Sequence, residues 1–379
     1  MVIKNRSMFR ITRFILLRLP ALFRFFARFR QDEKRLLVIK TDAIGDYILF
    51  RNFLEILKTS QAYKDHRIDL LGNVLWQELS LTYDSSYIGN FIFIKAEALY
   101  ELPLQTLRNG WKLFKNNYEV VLQPTFSRTF ITDGLAALTA AKTIVGFESN
   151  TERLPLKYKL KTDKIYTRLL PLPDEVYFEF NRSKYFIEQV INESITLNAT
   201  SVGQEVINKN GIIIFPGAGA VKREWKKENF LTIIKLLRQY STQPIYLAGS
   251  KAEIPAGENL EANLPPQSVI NFIGKSSLPE LIDMIAGASL VIANDTSAIH
   301  IAVAAKTKSV CILGGGHFER FVPYPEYFEN KPVCAYYKMD CYYCNWNCIY
   351  KTVETDPYPC IANIEVDTVW NAVKSMLIR

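Results

Sequence analysis

The sequence predicts an α/β protein of two domains, each a parallel sheet covered by helices, preceded by a basic amphipathic arm. Three observations carry this. From residue 36 onward, short apolar runs rich in β-branched residues alternate with stretches of helical spacing. The rhythm breaks in the polar residues 195–210 and restarts with GIIIF at Gly211. The chain has 379 residues, of which 49% are apolar. At roughly 100–200 residues per domain that length suits two domains, and the apolar share suffices for packed cores.

In the first domain LLVIK (Leu36–Lys40) is a strand, TDAIGD a loop and YILFRNFLEILK one helix. Further strands are expected at Ile68–Gly72, Phe91–Lys95 and Tyr118–Pro124, and helices at Leu104–Phe114 and Asp133–Ala141. Residues 149–175, rich in Lys, Arg, Pro and Thr, predict a long loop, and Asn181–Asn192 a closing helix. In the second domain strands are expected at Gly211–Phe215, Pro244–Gly249, Ser268–Gly274, Ser289–Asn294 and Ser309–Gly316. Between them, KENFLTIIKLLRQY, LPELIDMIAGA and DTSAIHIAVAAK carry helical patterns. The expected organisation is an arm over 1–35, a first domain over 36–200 and a linker over 201–210. A second domain over 211–360 and a C-terminal helix over 361–379 follow. No short-period repeat is present; what repeats is a Rossmann-like architecture. Ligands of such sheets bind beyond the carboxyl ends of the strands, so a cleft between the two domains is the expected site.

The formal charge of +8 sits entirely in residues 1–35, where ten Lys/Arg face two acids. A globally basic body is absent, which argues against a nucleic-acid partner. Within the arm, Arg13, Arg18 and Arg24 interrupt the apolar residues, so no membrane-spanning run of about 20 forms. The uncharged run Phe14–Leu17 is too short for a signal peptide. An anionic membrane surface is the expected partner, with Pro20 dividing the arm into two short helices. The alternative is a helix packed on the protein's own body. Five of the six cysteines follow residue 330, which predicts a reducing cytosol rather than a secreted disulfide scaffold. Cys341 and Cys344 have metal-ligand spacing, but Cys348 and Cys360 complete no standard finger. Reduced structural cysteines or a local disulfide are favoured, and neither metal nor cofactor is expected.

Three loops carry chemistry. In KTDAIGD, Gly45 suits a tight strand-to-helix turn, and spacing alone favours Asp42 or Asp46 as a helix N-cap. In PGAGAVKREW, Gly217 and Gly219 let backbone N–H groups approach a phosphate, with Lys222 and Arg223 adding charge. The spacing is neither a P-loop nor GxGxxG; a bland glycine-rich turn is the alternative. In NDTSAIH, Asp295, Thr296 and Ser297 begin a helix, as N-caps or as a diphosphate cradle, and His300 follows within about a turn. GGGHF, with Gly315, is a third permissive loop.

Three segments, in order, resemble glycosyltransferase family nine, whose best-known members are the lipopolysaccharide heptosyltransferases. They are LLVIKTDAIGDYILFRNFLEILK, IIIFPGAGAVKREWKKENF and NFIGKSSLPELIDMIAGASLVIANDTSAIHIAVAAKTKSVCILGGG. LAGSKAE matches the family's short segment between the second and third, and the late cysteines followed by a terminal helix match its tail. The resemblance implies a GT-B fold and an inverting, metal-independent transfer from a nucleotide-diphosphate sugar, ADP-heptose first, to a lipopolysaccharide core or related glycan. It makes Asp46 the candidate general base, with Lys40 and Gly45 on the acceptor side. It puts Gly217, Gly219, Lys222, Arg223, Glu253, Asp295, Thr296, Ser297, His300 and Gly315 at the donor. The expected location is cytoplasmic, at the inner face of the membrane. Ser297 stands where the family usually has Gly, and Glu224 separates Arg223 from Trp225. The sequence agrees on metal independence, since no two aspartates are spaced i, i+2. Two other readings share the architecture: a nucleotide-sugar epimerase or hydrolase, and a non-catalytic membrane-associated scaffold that binds sugar nucleotides.

Overall fold

The computed structural model describes residues 3–31 and 33–377. Met1, Val2, Asp32, Ile378 and Arg379, and with them parts of the arm and C-terminal helix expected over 1–35 and 361–379, lie outside the described residues. The chain divides into two compact units, residues 1–176 with 180–196 and residues 177–179 with 197–379. The division falls just ahead of the expected linker.

In the first unit the elements run α1 (Arg6–Ala27), β1 (Arg35–Lys40), α2 (Ile44–Phe50), α3 (Phe53–Thr59), β2 (Arg67–Asn73), α4 (Gln77–Tyr83) and β3 (Asn90–Ile94). They continue α5 (Pro103–Lys115), β4 (Val120–Gln123), α6 (Phe130–Leu138), β5 (Thr143–Phe147), α7 (Leu156–Thr162), β6 (Arg168–Leu170) and α8 (Glu179–Ile191). The strands form one parallel sheet in the order β3-β2-β1-β4-β5-β6. β1 and β4 are fully buried but for Arg35 at the edge of the core, because helices cover both faces.

The arm is folded onto this unit. α1 is one helix, not two: Thr12, Ile15, Leu16 and Phe23 are buried on both sides of Pro20 and hold it as a single rod. Ile15, Leu16 and Phe23 belong to the same apolar core as Leu113, Phe130 and Ile131. Gly134 of α6 permits the approach, since a Cβ there would stand 2.7 Å from Leu16. Arg30 ties the end of the arm down by donating to the carbonyls of Phe114, Thr139 and Ala140. The opposite side of α1 exposes Met8, Ile11, Phe14, Leu22, Phe25 and Phe26 among Arg6, Arg10, Arg13, Arg18 and Arg24.

Three expectations for this unit need correction. The long loop at 149–175 contains α7 and β6: Leu154, Tyr158 and Thr162 are buried at helical spacing beneath a lysine-rich surface that masks the pattern. The helix after β1 is two helices, broken at Arg51, whose guanidinium turns onto Asp84 at 2.7 Å. β5 is an additional strand.

The second unit runs β7 (Ile212–Phe215), α9 (Lys227–Tyr240), β8 (Ile245–Leu247), α10 (Ile254–Ala262), β9 (Ile270–Asn271), α11 (Leu278–Gly287) and β10 (Leu290–Asn294). α12 (Ser297–Ala304), β11 (Ser309–Ile312), β12 (Val333–Ala335), α13 (Pro359–Ala362) and α14 (Val366–Leu377) complete it. Its parallel sheet has the order β12-β11-β10-β7-β8-β9. The strand expected at Ser268–Gly274 shrinks to two edge residues, and β12 is additional. In each sheet the chain order reverses once, between β1 and β4 and between β7 and β10. Loops leaving the carboxyl ends of strands at such a reversal are free to diverge and admit a ligand.

Candidate active site

At the reversal in the first unit, the loop after β1 carries the predicted acid. Lys40, the last residue of the strand, is fully buried, and its Nζ lies 3.1 Å from Asp42 Oδ2. Thr125, in the loop after β4, donates to the same oxygen at 2.6 Å, and Arg153 lies 3.4 Å from Oδ1. Burial alone would raise the Asp42 pKa; Lys40, Arg153 and Thr125 outweigh it and hold the carboxyl below its usual range. Asp42 is thus a structural anion. Lys40 is committed to it rather than exposed toward an acceptor.

The N-cap of α2 is Ala43, in extended backbone and without a side-chain cap, so neither Asp42 nor Asp46 caps the helix. Asp46 stands half-buried in the first turn, behind the buried Gly45. The turn is braced from behind. Tyr47 stacks on Trp76 at 3.8 Å and donates to Asp84 at 2.7 Å. The Trp76 indole donates to the Asp42 carbonyl at 3.0 Å, and Asn73 donates to the Thr41 carbonyl at 2.9 Å.

At the reversal in the second unit, Asn294 at the end of β10 binds the loop after β7. Its Nδ2 donates to the carbonyls of Pro216 and Gly217 at 2.8 and 3.1 Å, while its Oδ1 accepts from the Trp225 N–H at 3.1 Å. Gly217 is obligatory for another reason. A Cβ there would fall 1.4 Å from Glu253 Oε1, so the bare backbone is what admits the Glu253 carboxylate to the loop. Glu253 also caps its own turn, paired with Ser250. Ala218 N–H donates to Glu224 at 3.4 Å. Burial, with the nearby charge of Glu253, raises the Glu224 pKa.

Arg223 is the best-supported cation here. It donates to the Asp295 carbonyl at 3.1 Å, lies 3.6 Å from the Asp295 carboxylate, and sits over the Trp346 ring at 4.4 Å. Stacking and the carbonyl bond fix the plane of the guanidinium, which keeps its remaining donors pre-oriented. Lys222 donates to Thr352 at 3.2 Å. Thr296 is the N-cap of α12 in extended backbone, makes no side-chain cap bond, and leaves Ser297 as the first helical residue. His300 is buried and paired through Nδ1 with the Tyr324 hydroxyl at 2.7 Å. Burial pushes its pKa down to about 4 against the pull of Asp295, so at neutral pH it offers a neutral ring.

Gly219 is open, 4.0 Å from Arg223. Gly315 is not: its N–H points to Cys360 Sγ at 3.5 Å and its carbonyl accepts from Tyr343 at 2.8 Å. Its backbone is therefore engaged within the second unit. All six cysteines are free thiols, and Cys341, Cys344, Cys348 and Cys360 line one small cavity beside Gly315. Among the described residues no group of three or more His, Cys, Asp or Glu side chains is arranged to hold a metal ion.

Thr125, Arg153, Asn294, Tyr324 and Trp346 complete these loops and escaped the sequence reading. Asn294 was legible as the first residue of NDTS. Trp346 was not, because it lies in the cysteine-rich tail, far in sequence from the Arg223 it supports.

The profile described as Glycosyltransferase family 9 (heptosyltransferase) matches residues 112–343. Lipooligosaccharide heptosyltransferase 2 of Haemophilus influenzae is 28% identical over 136 residues, 34% of this chain and 39% of that protein. The chain thus aligns with less than half of that relative. Lipopolysaccharide heptosyltransferase 1 of Campylobacter coli is 24% identical over 302 residues, 74% of this chain and 84% of that protein. The solved structure of E. coli ADP-heptose lps heptosyltransferase II superposes with a TM-score of 0.66 at 14% identity, covering 91% of this chain and 98% of that one. The two parallel six-stranded sheets are those of a GT-B fold.

Proposed function

The chain belongs to glycosyltransferase family 9, the heptosyltransferase family, and from that premise we propose that it moves heptose from ADP-heptose to a lipopolysaccharide core or related glycan, with inversion and without a metal. The observation that carries the reading is the contrast between the two loops at the sheet reversals. One holds a braced half-buried carboxylate, Asp46, and the other a pre-oriented guanidinium, Arg223, beside the start of a helix. An inverting transfer needs these two things.

Asp46 takes the proton from an acceptor hydroxyl. The oxygen forms its bond to the anomeric carbon as the bond from that carbon to the diphosphate oxygen breaks. ADP leaves with the electron pair, and the single displacement inverts the configuration. Arg223, Lys222 and the N–H groups at Ser297 meet the charge that develops on the diphosphate. Asp295 would repel that charge, so its role is to hold Arg223. Glu253 accepts from hydroxyls of the nucleotide sugar, and His300 serves as a neutral wall.

The donor in this reading carries its name from the E. coli structure. The assay is ADP-heptose with a lipopolysaccharide-core acceptor in EDTA. ADP release that requires acceptor, yielding a product of inverted anomeric configuration, supports the reading. Turnover of donor alone indicates an epimerase or hydrolase, and a strict Mg²⁺ requirement overturns the metal-free step.

The same reading sets the enzyme on the inner face of the cytoplasmic membrane. Among the described residues no helix is long and apolar enough to cross a membrane, while α1 exposes phenylalanines and arginines together. The apolar residues supply burial and each arginine on the order of 1 kcal/mol at an anionic surface. Because one side of α1 is part of the core, the test is confined to its exposed side. Replacing Phe14, Phe25 and Phe26 with Ser should release the folded protein from anionic liposomes.

A further inference from the structure

The first unit contains a cavity of about 300 Å³ that the transfer step leaves unused. It opens beside the loop carrying Asp42, since Thr41 forms part of its wall. Four aromatic side chains, Phe9, Tyr100, Phe130 and Tyr158, form much of the rest of its wall. Phe9 of α1 meets Tyr100 at 5.9 Å and Tyr158 edge-on at 6.2 Å, and Phe130 lies 4.7 Å from Tyr158. The polar groups are few and placed together. Glu97 and Glu152 line the cavity with Arg153, whose guanidinium bridges Glu97 at 3.5 Å and Asp42 at 3.4 Å.

This composition selects its occupant. Two carboxylates against one guanidinium leave the lining acidic, which disfavours phosphates and fatty-acid carboxylates. Carboxylates accept hydrogen bonds from hydroxyls, Arg153 donates to hydroxyl oxygens, and the aromatic side chains offer flat apolar surface to C–H bonds. The volume is at the small end of ligand sites, room for one ring. We infer that the cavity is a subsite for a neutral pyranose ring of the acceptor, next to the sugar that is glycosylated. The assignment rests on the proposed glycosyl transfer, and it gives the arm a second duty. Phe9 comes from α1, so the helix that faces the membrane also closes the sugar subsite. Arg153 links occupancy to the loop ahead of Asp46, because a hydroxyl donating to Glu97 competes with the guanidinium for that carboxylate and leaves Arg153 to Asp42.

The test uses the full chain and methyl α-D-glucopyranoside as probe, read by saturation-transfer NMR with irradiation of aromatic protons. Saturation of the ring C–H protons is expected, with a Kd raised about tenfold in Phe9→Ala. Glu97→Gln is the companion variant at an exposed side chain, and it should weaken the probe in the same direction while leaving ADP affinity unchanged. No saturation transfer in the wild type overturns the subsite. So does transfer that both variants leave unaltered, or displacement of the probe by octanoate or inorganic phosphate. ADP affinity is measured in the same samples. Its absence would defeat the donor reading while leaving the sugar result standing.

Discussion

The loops after β1 and after β7 occupy the same place in two sheets of the same topology, yet they are built for opposite charge. After β1, the buried cation Lys40 is spent on Asp42, with Thr125 and Arg153 closing the set, and Asp46 stands half-buried one turn further on. After β7, a buried neutral amide, Asn294, holds the loop, and the charged Arg223 is both stacked on Trp346 and paired with Asp295 at 3.6 Å. The comparison teaches how one scaffold holds charged side chains in two ways. Where the scaffold spends its charges on itself, it can present a carboxylate. Where it braces with amides, glycines and rings, it fixes the plane of a guanidinium without burying it.

The sharpest way to break the comparison is Asp46→Asn. The rate constant kcat should fall about 10²–10⁴-fold while ADP affinity is unchanged. Near-normal kcat would return Asp46 to the scaffold. Arg223→Ala is the converse and should raise the Kd for ADP by about 10–100-fold, the worth of hydrogen bonds to a charged group. Calorimetry checks it, and unchanged affinity would leave the second loop without its cation. Gly217→Ala sharpens the contrast, because the new Cβ must expel Glu253. A loss of donor affinity of about tenfold is expected, with no change in the Kd for the probe sugar of the first unit; a normal donor Kd would show that Glu253 touches no donor.

The smallest effect at neutral pH is expected of His300→Gln. Burial holds His300 near 4 against an ordinary 6.5, so the unfolded chain takes up the proton first. That contribution to stability is whole above pH 6.5 and is lost as pH falls to about 4. Urea midpoints of the wild type should therefore drop further across this window than those of the variant. Parallel curves would mean that His300 is not buried in solution.

The strands and most helices were legible because burial imposes period: GIIIF and KENFLTIIKLLRQY declare their own conformation. The stretch 149–175 was not, because its lysines on exposed positions of α7 conceal Tyr158 and Thr162 beneath them. Asp46, Gly217 and Arg223 stood out through the resemblance to family nine, because spacing alone favoured an N-cap for Asp46 and left a bland turn open at Gly217. Spacing does not reveal that the backbone of Gly315 bonds to Cys360 and Tyr343.

By itself, then, the sequence determined two α/β units, the arm's charge and the segments that bear chemistry, since these follow from local periodicity and residue type. Only the tertiary structure decided what each residue is free to do. It spent Lys40 on Asp42, buried one side of α1 in the core, brought Phe9 to the wall of a cavity and set Trp346 under Arg223. The reason is physical. Availability for chemistry depends on which partners have already satisfied a charge or a hydrogen bond, and those partners come from strands and loops far along the chain, 130 residues away for Lys222 and Thr352.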